Sequence, residues 1–332
     1  MKTPVKLVKT VFFSATLLSL LLPAHAIADS SAPILNYASL AQPVWSEQGM
    51  VSSQQQIATQ VGVDILQQGG NAVDAAVAVG FTLAVTLPRA GNLGGGGFML
   101  VHLADSGQTI ALDYRELAPL AAQRDMYLNQ DGSVDQNRSR FHGLAVGVPG
   151  TVSGLITALE QYGSLPLQQV MQPAIDLASN GFRVDHELAL SLQQSVERLT
   201  RWPAAAKVFY HADGSYYQPG ELLKQPELAQ TLRQIARQGP AAFYQGNIAE
   251  KIVAAVKQAG GNMTLDDLQQ YRTQTRTPVS GSYRGYRVMS MPPPSSGGTH
   301  IIQILNIMEQ ADLASLGHNS AASIHLMAEA MK

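Results

Sequence analysis

The chain has 332 residues, no cysteine, and 22 Lys and Arg against 24 Asp and Glu, giving a formal net charge of −2. Without cysteine there are no disulfides, thiolate metal sites or cysteine nucleophiles, and near-balanced, interspersed charge excludes the basic stripe of a nucleic-acid binder. The length allows one large domain or two, with a core able to stand without cross-links.

Met1–Lys9 is a short cationic segment, followed by an apolar run from Val11 to Leu22 and then Pro23-Ala24-His25-Ala26-Ile27-Ala28. This is the layout of a secretory leader, with cleavage after Ala26 or Ala28. A membrane anchor is the rival, but the run is short for a span and ends in Ala-x-Ala. The expected organisation is a leader over 1–28 and a mature chain over 29–332, periplasmic or secreted, with no membrane attachment after leader removal.

Gln54 to Gln68 has amphipathic helical spacing and ends at Gly69-Gly70, a common helix stop. Asn71 is placed to cap a second helix from Ala72 to about Val85, apolar on nearly all faces and therefore a core helix. Asp74 inside it reads as a buried structural hydrogen-bonding group in preference to a catalytic acid. Next comes Gly91-Asn92-Leu93-Gly94-Gly95-Gly96-Gly97-Phe98. Consecutive glycines suit places where backbone or ligand comes too close for a Cβ. The run lacks the Gly-Lys-Ser/Thr of a phosphate loop and the Gly-x-Gly-x-x-Gly of a dinucleotide site, so a packing device and a binding site both stay open. Phe98 to Leu103 and Thr109 to Tyr114 read as hairpin strands joined through Asp105-Ser106-Gly107.

The middle of the chain is helical. Thr151 to Tyr162 stops at Gly163, Leu167 to Asn180 stops at Gly181, and Asp185 caps a helix running to Leu199. Pro226 sits in the first turn of a further helix with Gly239 just past its end. Thr264-Leu265-Asp266-Asp267 opens a short helix in capping-box fashion. Val279 to Met291 alternates as two strands turned at Arg284-Gly285, so Tyr283, Tyr286 and Arg287 read as parts of a sheet with one packed face. Pro292-Pro293-Pro294-Ser295-Ser296-Gly297-Gly298 reads as a rigid turn feeding a helix near Thr299, with Ser295 or Ser296 as its cap. Ser320 to Lys332 has amphipathic spacing but no closing Gly, Asn or Pro, and Lys332 reads as a truncation point. Strands, then many helices, then strands again predict an α+β architecture.

Several of these segments, in this order, closely resemble the large subunit of the γ-glutamyltransferases, a family of N-terminal-nucleophile hydrolases. They are Gly69 to Ala78, the glycine run with Phe98-Met99-Leu100-Val101, Asp113-Tyr114-Arg115-Glu116, Tyr283-Arg284-Gly285-Tyr286, and Met291 to Gly298. The resemblance extends from about Gln48 to the last residue. It implies an α+β, four-layer αββα sandwich of N-terminal-nucleophile hydrolase type, incomplete here because the small-subunit strands are missing. It also implies acyl transfer from glutathione or related γ-glutamyl compounds to water, amino acids or short peptides, through a threonine ester. That threonine opens the small subunit after self-cleavage and lies beyond Lys332, so no catalytic residue is expected here and this portion alone is expected to be inactive. The implied partners are the small subunit of the same precursor and the γ-glutamyl donors and acceptors; no cofactor and no metal are implied.

Arg115 directly follows the strand that carries the apolar Ile110-Ala111-Leu112, so it stands at a sheet end. A guanidinium matches a carboxylate bidentately and keeps its charge at any physiological pH. In an arbitrary Asp-x-Arg-Glu the commoner reading is an ion pair with Asp113 or Glu116. The resemblance implies instead that Arg115 binds the α-carboxylate of the γ-glutamyl group. His142, His211, His300 and His325 show no metal-ligand spacing, and no Gly-x-Ser-x-Gly surrounds Ser295 or Ser296. Two rivals keep a place: a glutaryl-type acylase or poly-γ-glutamate depolymerase of the same superfamily, and a periplasmic amino-acid-binding protein built from repeated βα units.

Overall fold

The least polar helix organises the chain. In the computed structural model, which describes residues 44–332, Ala72–Thr86 (α2) is buried along most of its length, with Val77, Phe81 and Val85 fully enclosed. It packs against Gln56–Gln67 (α1), Thr151–Tyr162 (α3) and Leu167–Asn180 (α4). A helix apolar all round needs partners on several sides, and α2 has them. Among the described residues no helix is long and apolar enough to cross a membrane. The leader expected over 1–28 lies outside the described residues. Gly49–Lys332 form one unit.

The ends of these helices follow local chemistry. Gly69, at φ +90°, closes α1. The Asn71 side chain accepts from the Val73 and Asp74 N–H groups, while Asp74 accepts from Asn71 N at 2.7 Å, a reciprocal capping box. Asp74 is fully buried and also accepts from Ser164 N, Ser164 Oγ and Leu165 N at 2.7–3.1 Å. Its role is structural: it fastens the start of α2 to the turn between α3 and α4. Helix Pro226–Gln238 (α6) carries Pro at its start and Gly239 at φ +69° after its end, and Thr264 with Asp267 boxes the start of Leu265–Gln270 (α8).

One expected helix is interrupted. Asp185 caps His186–Gln194 (α5), but Ser195 leaves helical geometry (φ −104°, ψ 3°) and only a short turn, Val196–Leu199, follows. Tyr210 Oη donates to Leu192 O at 2.7 Å, and Ser195 N bonds that same carbonyl in an i−3 pattern, so the regular ladder stops there. Helix Gly246–Gln258 (α7), which carries no capping side chain, was not apparent from the sequence.

Strands Phe98–Leu103 (β1) and Gln108–Asp113 (β2) form the expected antiparallel hairpin, with Gly107 at φ +66° in the turn. Gln274–Arg276 (β5) adds a third antiparallel strand beside β2, pairing Ala111 with Arg276 and Asp113 with Gln274. Phe182–Arg183 (β3) pairs with Leu222–Leu223 (β4). Val279–Tyr283 (β6) pairs with Tyr286–Ser290 (β7) across Arg284 and Gly285, both at positive φ, the turn chemistry of a two-residue hairpin. Helix Gly297–Met308 (α9) covers β6 and β7, and Ala321–Met331 (α10) packs on α9. The α+β expectation is met, with small sheets. All described strand pairings are antiparallel, which removes the βα-repeat ground for a solute-binding protein.

Candidate substrate-binding site

The glycine run serves the arginine. Gly97 extends the β1–β2 ladder by one pair, exchanging backbone bonds with Tyr114 at 3.0 and 3.2 Å. A Cβ on Gly96 would collide with the Tyr114 carbonyl, the Glu116 amide and the Arg115 Cα; one on Gly97 would meet the Tyr114 ring. Gly95 O accepts from the Gly150 and Thr151 amides, tying the run to the start of α3. Gly150 and Gly154 in turn admit the Tyr114 backbone and ring. Close packing is realised at Gly96 and Gly97, and what they pack is the segment that carries Arg115.

Arg115 leaves the end of β2 with an exposed side chain. Its amide donates to Asp113 Oδ1 at 3.2 Å and its carbonyl accepts from Tyr271 Oη at 2.9 Å. Its guanidinium donates from Nη1 to Pro294 O at 3.3 Å, so the Pro292–Gly298 turn meets the Asp113–Glu116 motif. No carboxylate lies within ion-pair range of Arg115 among the described residues. The commoner reading, a pair with Asp113 or Glu116, is not realised. Asp113 is buried and engages Arg276 Nε at 2.6 Å instead. A charged fork without an anion beside it, on a backbone fixed from several sides, is suited to an incoming carboxylate.

Tyrosines support this point from beneath. Tyr271 stacks on Tyr244 with centroids 5.7 Å apart and planes 6° from parallel. Tyr244 Oη donates to Pro149 O at 2.9 Å and accepts from Ser153 N at 3.2 Å. Burial pushes the Tyr114 phenol up to about 12 and raises Tyr244 and Tyr271 further, so all three stay protonated across the physiological range. Sequence reasoning singled out Arg115 and did not single out Tyr271 or Arg276. Each reaches the motif from more than 150 residues away, and neither stood in a motif that marked it.

The other candidates make different contacts, although Ser295 and Ser296 follow Pro294 in the turn that meets Arg115. His211 lies 3.2 Å from Glu221 and against the Tyr217 ring; His142 Nδ1 accepts from Leu144 N; His300 and His325 are exposed on helices. Ser296 is already in helical geometry and makes no side-chain cap. Ser295 Oγ accepts from Gly297 N at 3.3 Å, so of the two serines it is Ser295 that serves the start of α9, which begins at Gly297 and not at Thr299. Tyr283 lies beneath the Arg284 guanidinium, 5.4 Å from ring centroid to Cζ. Clefts of about 740 Å³, beside α9, and about 550 Å³, between α6 and α7, are lined without Arg115.

The Helicobacter pylori gamma-glutamyltranspeptidase superposes with a TM-score of 0.85 at 47% identity, covering 87% of this chain and 83% of that chain. The architecture is thus that of the N-terminal-nucleophile hydrolases. Among curated relatives, the glutathione hydrolase proenzyme of Escherichia coli (strain K12) is 49% identical over 310 residues, 92% of this chain and 53% of that protein. The acylase ACY 1 proenzyme of Pseudomonas sp. (strain V22) is 39% identical over 297 residues, 88% of this chain and 53% of that protein. The gamma-glutamyltranspeptidase family model matches residues 58–332, and the chain belongs to that family. It spans about half the length of the curated relatives it matches.

Proposed function

We propose that this chain is the scaffold and α-carboxylate-recognising half of an exported enzyme that transfers γ-glutamyl groups from glutathione and related donors. The observation that carries this reading is Arg115: exposed, its guanidinium without a carboxylate partner among the described residues, and anchored through both its amide and its carbonyl. The donor's α-carboxylate takes the guanidinium fork, which holds the γ-carbonyl at a fixed reach. A threonine of the partner small subunit attacks that carbonyl, with its own α-amine as base. The γ-amide C–N bond breaks, the amine leaves with a proton, and an ester to the threonine remains. Water or an acceptor amine then takes the acyl group. In this reading the nucleophile and the base both belong to the small subunit. Export rests on the charged, apolar and small-residue layout of residues 1–28.

A second reading, a glutaryl-type acylase, draws support from the relative named as an acylase, and from chemistry: a glutaryl group also ends in a carboxylate that Arg115 would accept. The higher identity to the glutathione hydrolase proenzyme favours the first reading. The test compares the assembled enzyme on a γ-glutamyl anilide and on a glutaryl amide of the same leaving group. Preference for the γ-glutamyl compound is expected, because only it carries an α-ammonium beside the carboxylate. Preference for the glutaryl compound would replace the first reading by the second.

A further inference from the structure

We infer that Tyr271 is a positioning residue for substrate recognition, setting the place of the Arg115 guanidinium by holding the Arg115 carbonyl. The inference rests on the proposal that Arg115 receives a carboxylate. Arg115 lies between the Tyr114–Gly97 pair that ends the β2 ladder and the isolated Leu117–Val148 bridge, and itself makes no ladder bond. Three things fix its backbone instead: Asp113 Oδ1 on its amide, Gly96 against its Cα, and the Tyr271 hydroxyl on its carbonyl at 2.9 Å. Asp113 also serves Arg276, and Gly96 works through packing, so only the Tyr271 hydroxyl can be deleted without disturbing another contact.

The hydroxyl is itself held in place. Tyr271 is buried, its ring lies flat on Tyr244, and Tyr244 is pinned by Pro149 O and Ser153 N at the start of α3. Gly150 leaves room for both the Tyr271 hydroxyl and the Tyr114 carbonyl, where a Cβ would strike each of them. Without the hydroxyl, the Arg115–Glu116 peptide gains freedom to swing. An exposed guanidinium several bonds out then samples a wider arc, and a bidentate fork tolerates little misplacement.

The experiment is a double-mutant cycle in the assembled enzyme, using Tyr271→Phe, Arg115→Ala and the pair, with a γ-glutamyl anilide as donor. Tyr271→Phe keeps the stacked ring. It is expected to raise donor KM roughly 3–10-fold, the scale of one lost hydrogen bond, with kcat within about 2-fold and Tm nearly unchanged. In the Arg115→Ala background the same change should leave KM unaltered, because there is no fork left to aim. If Arg115→Ala raises KM but Tyr271→Phe does not, the positioning role is wrong and the Arg115 reading stands. If Arg115→Ala leaves KM unchanged, the Arg115 reading fails and takes this inference with it. Equal losses from Tyr271→Phe in both backgrounds, accompanied by a fall in Tm, would make Tyr271 a core residue only.

Discussion

Two parts of this chain carry similar apolar helical patterns and meet different fates. The main core runs from α1 to Tyr271 and gathers every residue of the large buried cluster. After Arg276, burial becomes sparse: Met291, Pro292, Met308 and Ala330 are the apolar side chains enclosed there. Tyr286 is 76% exposed, Ile324 51% and Met331 66%, with Ile301 and Ile307 also open. Helix α2 found partners on several sides; α9 found a two-stranded sheet on one side and α10 on another. Periodicity says that a face is meant to be covered, and only the fold says by what. In the proposed enzyme, the small subunit would cover these apolar faces.

The sharpest way to break this contrast is to purify the chain as it stands. With no nucleophile of its own in the proposed mechanism, it should release no chromogenic amine from a γ-glutamyl anilide. With its apolar C-terminal faces open it should tend to aggregate. Co-expression with a small subunit should restore both activity and monodispersity. Activity of the homogeneous chain alone would show that the catalytic machinery has been misplaced, and Ser295 and Ser296 would be the first residues to re-examine.

Next in size is the arginine. In the assembled enzyme, Arg115→Ala should cost about 2–5 kcal/mol, the usual toll of removing one partner of a paired charge. The loss should fall mainly on donor KM, with self-cleavage intact. Arg115→Lys should lie between the two, because an ammonium keeps the charge and loses the fork. An unchanged KM would remove Arg115 from the site.

Asp74 tests the well-packed half. Asp74→Ala strands the amides of Asn71, Ser164 and Leu165, and should lower stability by about 2–4 kcal/mol in denaturant unfolding. Its acidity bears on pH. Burial pushes the carboxyl up, but bonds from the Ser164 hydroxyl and from the Leu165, Asn71 and Ser164 amides together bring it below the ordinary 3.8. A depressed folded value means that the contribution is fully present above about 3.8 and is lost as pH falls through the lower folded value. Asp74→Asn should therefore flatten the acid limb of the stability curve below about pH 4. An unchanged limb would mean that other carboxylates govern acid unfolding.

What the sequence disclosed and what it withheld divide along the same physical line. Asn71 with Asp74, Thr264 with Asp267, and Gly239 after Gln238 act within a few residues, so their chemistry can be read from spacing alone. Arg115 was legible as the residue of interest because it stands in a motif at a strand end. The groups that hold it, Tyr271 at its carbonyl and Pro294 at its guanidinium, are brought there by the fold. The same holds for the break in α5, where a tyrosine from another segment captures Leu192 O. The glycine run lies between these cases: its glycines announced a close approach, and the partner in that approach, the Tyr114–Glu116 backbone, could be named only from the structure.

The smallest effect probes the loosely covered half directly. Arg284 occupies the left-handed region at φ +50° in the β6–β7 turn, followed by Gly285 at φ +82°. A two-residue turn with both centres at positive φ favours Asn-Gly, and an ordinary side chain there costs about 1 kcal/mol. Arg284→Asn relieves that cost but gives up the stacking of the guanidinium over Tyr283, worth about 0.5 kcal/mol at an exposed site. Turn relief wins narrowly, so a net gain of about 0.5 kcal/mol is expected. Because the hairpin and α9 contribute no residue to the main cluster, the gain should be local. Amide exchange should slow over residues 279–308 while the amides of α2 keep their rates. Equal slowing in both regions would show that they unfold as one cooperative unit, and the contrast between the two halves would then concern exposure and not stability.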